Sequence, residues 1–417
     1  MFGKVSIKII IIMIRGVVFD KDNNCNVEWK TSTGEVYFVG SWNYWITGQT
    51  GLNFYPWAIE FDNNYDLYLG GDFTLFNSET NNKAIKLTNY GSKDYSFDIG
   101  TGFYYFASPT IRSVLYDNNT NTVLYSGKFS SYNGTLEQGI IRLFTDGTID
   151  TSFNTTGTTG IGFGTGGQYA STMLFHQGKY LCTGGFGTYR GIGVGFIVRI
   201  NTDGTLDSTF DTSVGFQLGS VTQSKIDYDD KDSIYAVGPF LKYNNVSSPY
   251  IAKITSGATL DTSFNVGTGF SGGGPGSLEL YNNGIYVVGG FSSYNGTTVN
   301  RIVKLKKDGT IDTSFDAGLS GNGPNNSISY IKQIRDKFYC GGNFTSWNGD
   351  YTYKFMVSLN LDGTVNTGFI PKFDDGSVIQ RIAVDDNNQM FVSGNFTSYD
   401  GKTNNYLVRI DLNGNII

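Results

Sequence analysis

Val287-Val288-Gly289-Gly290-Phe291-Ser292-Ser293-Tyr294-Asn295-Gly296 is the stretch on which the reading of this chain turns. An apolar run meets glycine, an aromatic anchor follows, and a second aromatic stands three positions later at a turn. The same pairing recurs at Phe73/Phe76, Phe129/Tyr132, Phe186/Tyr189, Phe240/Tyr243, Phe344/Trp347 and Phe396/Tyr399, with successive anchors 51 to 57 residues apart. From Phe73 onward the 417-residue chain is therefore a tandem array, to be read one repeat at a time.

Two more elements keep this register. An apolar-alternating run such as Ile302 to Leu305 leads into Lys307-Asp308-Gly309, and Thr310 to Phe315 follows; the matching segments are Ile140 to Leu143 with Thr148 to Phe153, and Ile197 to Ile200 with Thr205 to Phe210. Asn/Asp clusters, such as Asp117-Asn118-Asn119, separate the first run of each repeat from the anchor-bearing one, as expected of hairpin turns. No apolar pattern of helical period lasts three turns, so each repeat reads as four short strands and the chain as all-β.

Seven four-stranded units leave exposed edges unless they close on themselves, and radial closure buries each unit against two neighbours. A repeat near fifty residues suits a propeller blade, whereas a solenoid repeats at about 20–30. The expected fold is a seven-bladed β-propeller of four-stranded antiparallel blades over residues 43–417. The last repeat ends soon after its third strand. Trp45 to Leu52 parallels Phe264 to Phe270, so the segment at about 43–52 is expected to complete the seventh blade with 396–417, beside Leu407 to Ile410.

Residues 1–42 remain as accessory strands. Their run Ile9-Ile10-Ile11-Ile12-Met13-Ile14 is far short of the roughly 20 residues that span a bilayer. It reads as a strand buried in this fold, as one pairing with another subunit, or as the core of a secretion signal, although Arg15-Gly16 interrupts it and no small-residue cleavage site follows.

A net charge of -6 without any long Lys/Arg run argues against nucleic-acid partners. Cys25, Cys182 and Cys340 are too widely spaced for a metal site or a disulfide framework, and the last two occupy one strand position as small core residues. Gly269-Phe270-Ser271-Gly272-Gly273 has the spacing of a nucleophile elbow but no following helix, and His176 is the only histidine. Gly162-Phe163-Gly164-Thr165-Gly166-Gly167 has dinucleotide-loop spacing, again with no helix to meet a phosphate. Neither is read as a site; no catalytic residue, cofactor or metal is expected. Asn201, Asp203 and Asp207, or Asp308 and Asp312, offer carboxylates at short spacing for calcium, but they fit a hairpin turn as well, with the second Asp facing solvent.

The turn aromatics Tyr132, Tyr189, Tyr243, Tyr294, Trp347 and Tyr399 are the candidate binding residues. On a propeller they would fall on one rim and could offer a sugar- or protein-binding surface. In the competing reading each ring packs on its own turn.

The segment Val287 to Gly296, followed by Asn300 to Leu305 and Asp308 to Phe315, resembles the delta-60 repeat family of β-propeller modules, over residues of about 70 to 417. Such repeats occur in bacterial surface or secreted proteins and in bacteriophage tail-associated proteins, which implies a structural or binding role and no enzyme. The Asn/Ile/Lys/Tyr-rich usage matches an AT-rich genome, so the expected setting is a phage virion, as a tail component in a larger assembly. Its partners would be other virion proteins or a host surface receptor or glycan, with no membrane insertion. The alternative is an adhesion or glycan-binding propeller on, or secreted from, a bacterial cell.

Overall fold

The computed structural model describes residues 51–153, 161–212, 214–217, 225–319 and 321–417. The chain divides into two compact units, Met1–Asn43 and Tyr44–Ile417. The first unit, with Ile9 to Ile14 and Cys25, lies outside the described residues, as do residues 44–50 of the second. Every described regular element is a strand.

Besides small sheets of two-residue strands, seven larger antiparallel three-stranded sheets succeed one another. Their first strands are Pro56–Phe61, Thr110–Asp117, Ala170–His176, Lys225–Tyr228, Pro275–Tyr281, Ile328–Ile334 and Val378–Val384. The second strand of each lies in the middle and ends just before the anchor Phe, and the third follows the small hairpin that carries the turn aromatic. The expected fourth strand is reduced to one bridged residue, such as Ile149 on Leu143 or Ile311 on Leu305. It stops there because the next side chain turns the backbone: Asp150 Oδ1 accepts the Ser152 amide at 2.9 Å, an Asx turn.

The glycine two positions before each anchor has a steric cause. Six first strands carry a bulge, between Pro275 and Ser277 for example, and the bulged backbone crosses that glycine. A Cβ on Gly289 would lie 2.4 Å from the Gly274 carbonyl oxygen, and one on Gly127 2.0 Å from that of Thr110. No other residue fits between the two strands.

The hairpin after the anchor turns through two residues with positive φ, such as Asn133 (48°) and Gly134 (77°) or Asn295 (46°) and Gly296 (76°), as a two-residue type I′ turn requires. Its first residue also clips the repeat to the segment before it. The Asn295 amide donates to the Gly269 carbonyl at 2.8 Å, and those of Asn133, Asn244 and Asn348 bond Gly102, Gly215 and Gly323 likewise.

Each sheet buries one face against the next. In the first, second, fourth, fifth and sixth sheets the second strand lies against the first strand of the successor, and the second strand of the last sheet lies against the first strand of the first. Seven buried clusters follow this order; the one joining Leu67, Leu69 and Leu87 to Phe391 and Leu407 connects the first sheet with the seventh.

Of the segment expected at about 43–52 beside Leu407 to Ile410, the described residues are Gly51 and Leu52. Leu52 bridges Phe76 of the first repeat rather than Leu407 to Ile410, and Gly51 accepts from the Asn77 amide at 2.9 Å, the same clip as at Gly269 and Asn295. The parallel with Phe264 to Phe270 thus holds, but it assigns the segment to the repeat that follows it. The seventh sheet has its own fourth element, Ile416 on Ile410.

Candidate functional site

The six turn aromatics are buried, each at most 1 % exposed. They lie as in the reading in which each ring packs on its own turn, and not as an exposed rim. A phenol at this position points inward because its hydroxyl has a partner there: Tyr132, Tyr189, Tyr294 and Tyr399 donate to the carbonyls of Gly147, Gly204, Gly309 and Gly414 at 2.6 to 2.8 Å, and Tyr243 to Ala258 at 2.8 Å. A third ring comes from the preceding segment. Phe270 lies 4.5 Å from Phe291 and 4.7 Å from Tyr294, and Phe103, Phe163, Phe216 and Phe373 repeat the arrangement. These triads tie consecutive repeats together and offer nothing to a partner.

The turn carboxylates are also spoken for. Asp308 accepts the Thr310 amide at 2.9 Å and its hydroxyl at 2.7 Å, and Asp203 serves Thr205 in the same way. Asn201 donates to the Thr205 hydroxyl at 2.8 Å. The second Asp does not face solvent freely, as the sequence reading had it. It meets a cation of the third strand: Asp150 with Arg142 at 2.7 Å, Asp207 with Arg199 at 2.6 Å, Asp261 with Lys253 and Asp312 with Lys304 at 2.7 Å. The signal was present as a Lys or Arg eight residues before the Asp. Lys304 lowers the Asp312 pKa to about 2. Against the penalty of burial, Thr209, Lys179 and Arg199 hold Asp207 well below the carboxylate range. Among the described residues no group of His, Cys, Asp and Glu is placed to hold a metal ion.

Ser271 lies exposed on a two-residue strand and meets the hydroxyl of Ser293. His176 is fully buried, edge-on to Tyr228 at 4.8 Å and 3.6 Å from Asp232, and burial lowers its pKa. Phe163 of the glycine-rich loop belongs to a ring triad. Cys182 and Cys340 are buried free thiols.

The arrangement that sequence reasoning missed lies on the first strands. Pairing with the second strand puts them in one register, so Ala58, Ser113, Thr172, Lys225, Ser277, Tyr330 and Arg381 are equivalent, each paired with the residue before the recurring glycine of its own repeat. Two residues on, Glu60, Leu115, Leu174, Asp227, Glu279, Lys332 and Ala383 are equivalent. The position between is apolar in every sheet, Ile59 to Ile382, and packs between sheets. Alternation sends the other two tiers to the opposite side of each strand, where Ala58, Leu115 and Leu174 join the buried clusters and the charged members come from the first, fourth, fifth, sixth and seventh sheets.

Side chains from different sheets meet there. In one tier Lys225 and Arg381 lie over the Tyr330 ring, 6.0 and 5.2 Å from its centre. In the other, Lys332 binds Glu279 at 3.0 Å, and that oxygen also accepts the Gln333 amide at 3.2 Å. Glu60, partly exposed but hemmed in by the strands around it, is pushed up to about 8 by lost hydration, against the pull of Lys332. Burial likewise raises Asp227 and Glu279, while Lys332, though desolvated, is held up by Glu279. Burial and the nearness of Arg381 push Lys225 far down. Arg112, at the bulge of the second sheet, stacks on Trp57 at 4.0 Å, and its buried Nε has no hydrogen-bond partner. No single repeat shows this cluster, because each contributes only one or two of its members.

Six segments, residues 67–97, 119–153, 178–210, 232–264, 282–315 and 386–416, match the family model described as a domain of unknown function (DUF5122) beta-propeller. Among solved structures, the extracellular domain of a protein assigned to a one-component system of B. thetaiotaomicron is similar with a TM-score of 0.50 at 12% identity, over 84% of this chain and 37% of that one. The chain thus spans little more than a third of that relative. Virginiamycin B lyase from Staphylococcus aureus, solved in an inactive form with quinupristin, is similar with a TM-score of 0.46 at 12% identity, over 83% of this chain and 93% of that one. At such identities the likeness is one of fold alone. No curated protein matches.

Proposed function

We propose, for a chain built of β-propeller repeats, that the seven sheets close into one ring of seven blades, and that this ring is a non-enzymatic binding body whose ligand site is the polar lining of its axis. The junction of first and last sheets supports closure. The Phe61 and Phe391 rings lie 5.2 Å apart, Ser393 donates to the Pro56 carbonyl at 3.0 Å, and the Tyr65 hydroxyl bonds Asp386 at 2.8 Å. The observation that carries the binding reading is the convergence of Lys225, Asp227, Glu279, Tyr330, Lys332 and Arg381 from four sheets onto one lining. Catalysis is disfavoured because the one histidine is buried, Ser271 is exposed on another strand, and Glu279 is held by Lys332.

Closure is tested by a double-mutant cycle of Phe61→Leu and Phe391→Leu. A coupling of about 0.5 kcal/mol or more is expected, and additive effects would overturn the ring.

For the setting we retain the bacteriophage tail, with the repeats read as delta-60 modules. It is supported by the repeat resemblance and by the AT-rich residue usage, and it leaves docking on virion proteins or on the host surface as the role. Antibody against this chain should label the tails of purified particles under the electron microscope. Label confined to a bacterial envelope would favour an adhesion propeller instead.

A further inference from the structure

Two cations on the first strands have no carboxylate. Among the described residues neither Lys225 nor Arg381 is paired with an acid, although Asp227, Glu279 and Glu60 stand two residues further along the same strands or their neighbours. Register explains it. The acids stand one tier away, where Lys332 holds Glu279 at 3.0 Å. The two cations turn instead to the face of Tyr330, whose quadrupole offers only partial compensation. Arg112 adds a third positive group close enough to Arg381 to disfavour its charge. The equivalent positions in the intervening sheets are small, Ala58, Ser113, Thr172 and Ser277, so no side chain from them fills the space beside the pair. Basic groups crowded on rigid strands without a counter-charge, one of them driven toward its neutral form until an anion restores its proton, are what an anion site requires before its ligand arrives.

We infer that Lys225 and Arg381, both beside the ring of Tyr330, bind an oxyanion, the carboxylate, phosphate or sulfate group of a small ligand. The inference deepens the reading of the axis as the ligand site and rests on it. Lys225 supplies a point charge and Arg381 a planar fork that can meet two oxygens at once. The ring of Tyr330 orients both.

The test is thermal unfolding of the full chain in sodium phosphate, sulfate or succinate, against sodium chloride at equal ionic strength. At about ten times Kd one of the three oxyanions should raise the wild-type Tm by about 2 °C; which one does so separates a phosphate, a sulfate and a carboxylate source. Lys225→Met and Arg381→Gln should lose that rise, and without oxyanion they should melt no lower than wild type, because the repulsion is relieved. Arg381→Lys keeps the charge and should keep the rise, which guards against a misfolded Gln variant. Lys402→Met, on the exposed seventh hairpin, should respond as wild type. No oxyanion effect beyond chloride, or an equal rise in Lys225→Met and wild type, overturns the site. The Phe61/Phe391 coupling reads ring closure independently, so the failure of one can be told from the failure of the other.

Discussion

The hydroxyl of Tyr294 donates to the carbonyl of Gly309, fifteen residues further on, at 2.8 Å. The bond joins the hairpin that follows the anchor to the Asp-Gly turn that ends the third strand, and it recurs at the same spacing in the repeats of Tyr132, Tyr189, Tyr243 and Tyr399. Tyr294→Phe leaves a buried carbonyl without its donor. It should cost about 1–2 kcal/mol, measured by urea unfolding.

Larger truncations at the turn position should behave as core mutations. Tyr294→Ala and Trp347→Ala remove rings buried to 1 % and should each cost about 3–5 kcal/mol, like Phe291→Ala. Folded, stable variants would return these aromatics to the surface.

The Arg142–Asp150 pair is nearly dry, with side chains 4 % and 5 % exposed, and the same guanidinium donates to Tyr180 of the next sheet at 3.1 Å. Arg142→Met strands a buried carboxylate and should cost about 3–5 kcal/mol. Adding Asp150→Leu should restore part of that loss; a double mutant as unstable as the sum of the singles would deny the coupling.

Two glycines should separate space from backbone angle. Gly289 has no room, since its Cβ would lie 2.4 Å from the Gly274 oxygen, whereas Gly296 has open space but a φ of 76°. Gly296→Ala should cost about 1 kcal/mol. Gly289→Ala should cost several times that, or prevent folding, because backbone must move from backbone.

Stability should respond to pH in two opposed windows. Asp312 titrates near 2 in the fold against 3.8 in the unfolded chain, so its contribution is complete above 3.8 and is lost as pH falls towards 2. Glu60 is raised from 4.5 to about 8, so the unfolded chain releases that proton first and stability declines as pH rises from 4.5 to 8. Urea midpoints of Glu60→Gln should lack the second decline, and those of Asp312→Asn should show a weaker acid loss. Parallel profiles for Glu60→Gln and wild type would contradict the crowding of that carboxyl.

The all-β class, the repeat length, the anchor and the hairpins were legible in the chain itself. They depend on contacts within one repeat: a glycine with no room for Cβ at 289, an Asn-Gly pair that adopts positive φ at 295 and 296, a run of alternating apolar residues. Periodicity reports such local rules seven times over. The direction in which Tyr294 points was not legible, because a ring beside a turn can face solvent or core, and only the carbonyl of Gly309 across the sheet decides it. The partner of Leu52 was legible in its segment's likeness to Phe264 to Phe270, because Phe270 pairs with Tyr294 as Leu52 bridges Phe76. The meeting of Lys225 with Arg381 over Tyr330 was decided by tertiary structure alone. These three residues stand in the fourth, seventh and sixth sheets, at a position that the other repeats fill with small side chains, and only the pairing register and the packing of first strands bring them to one place.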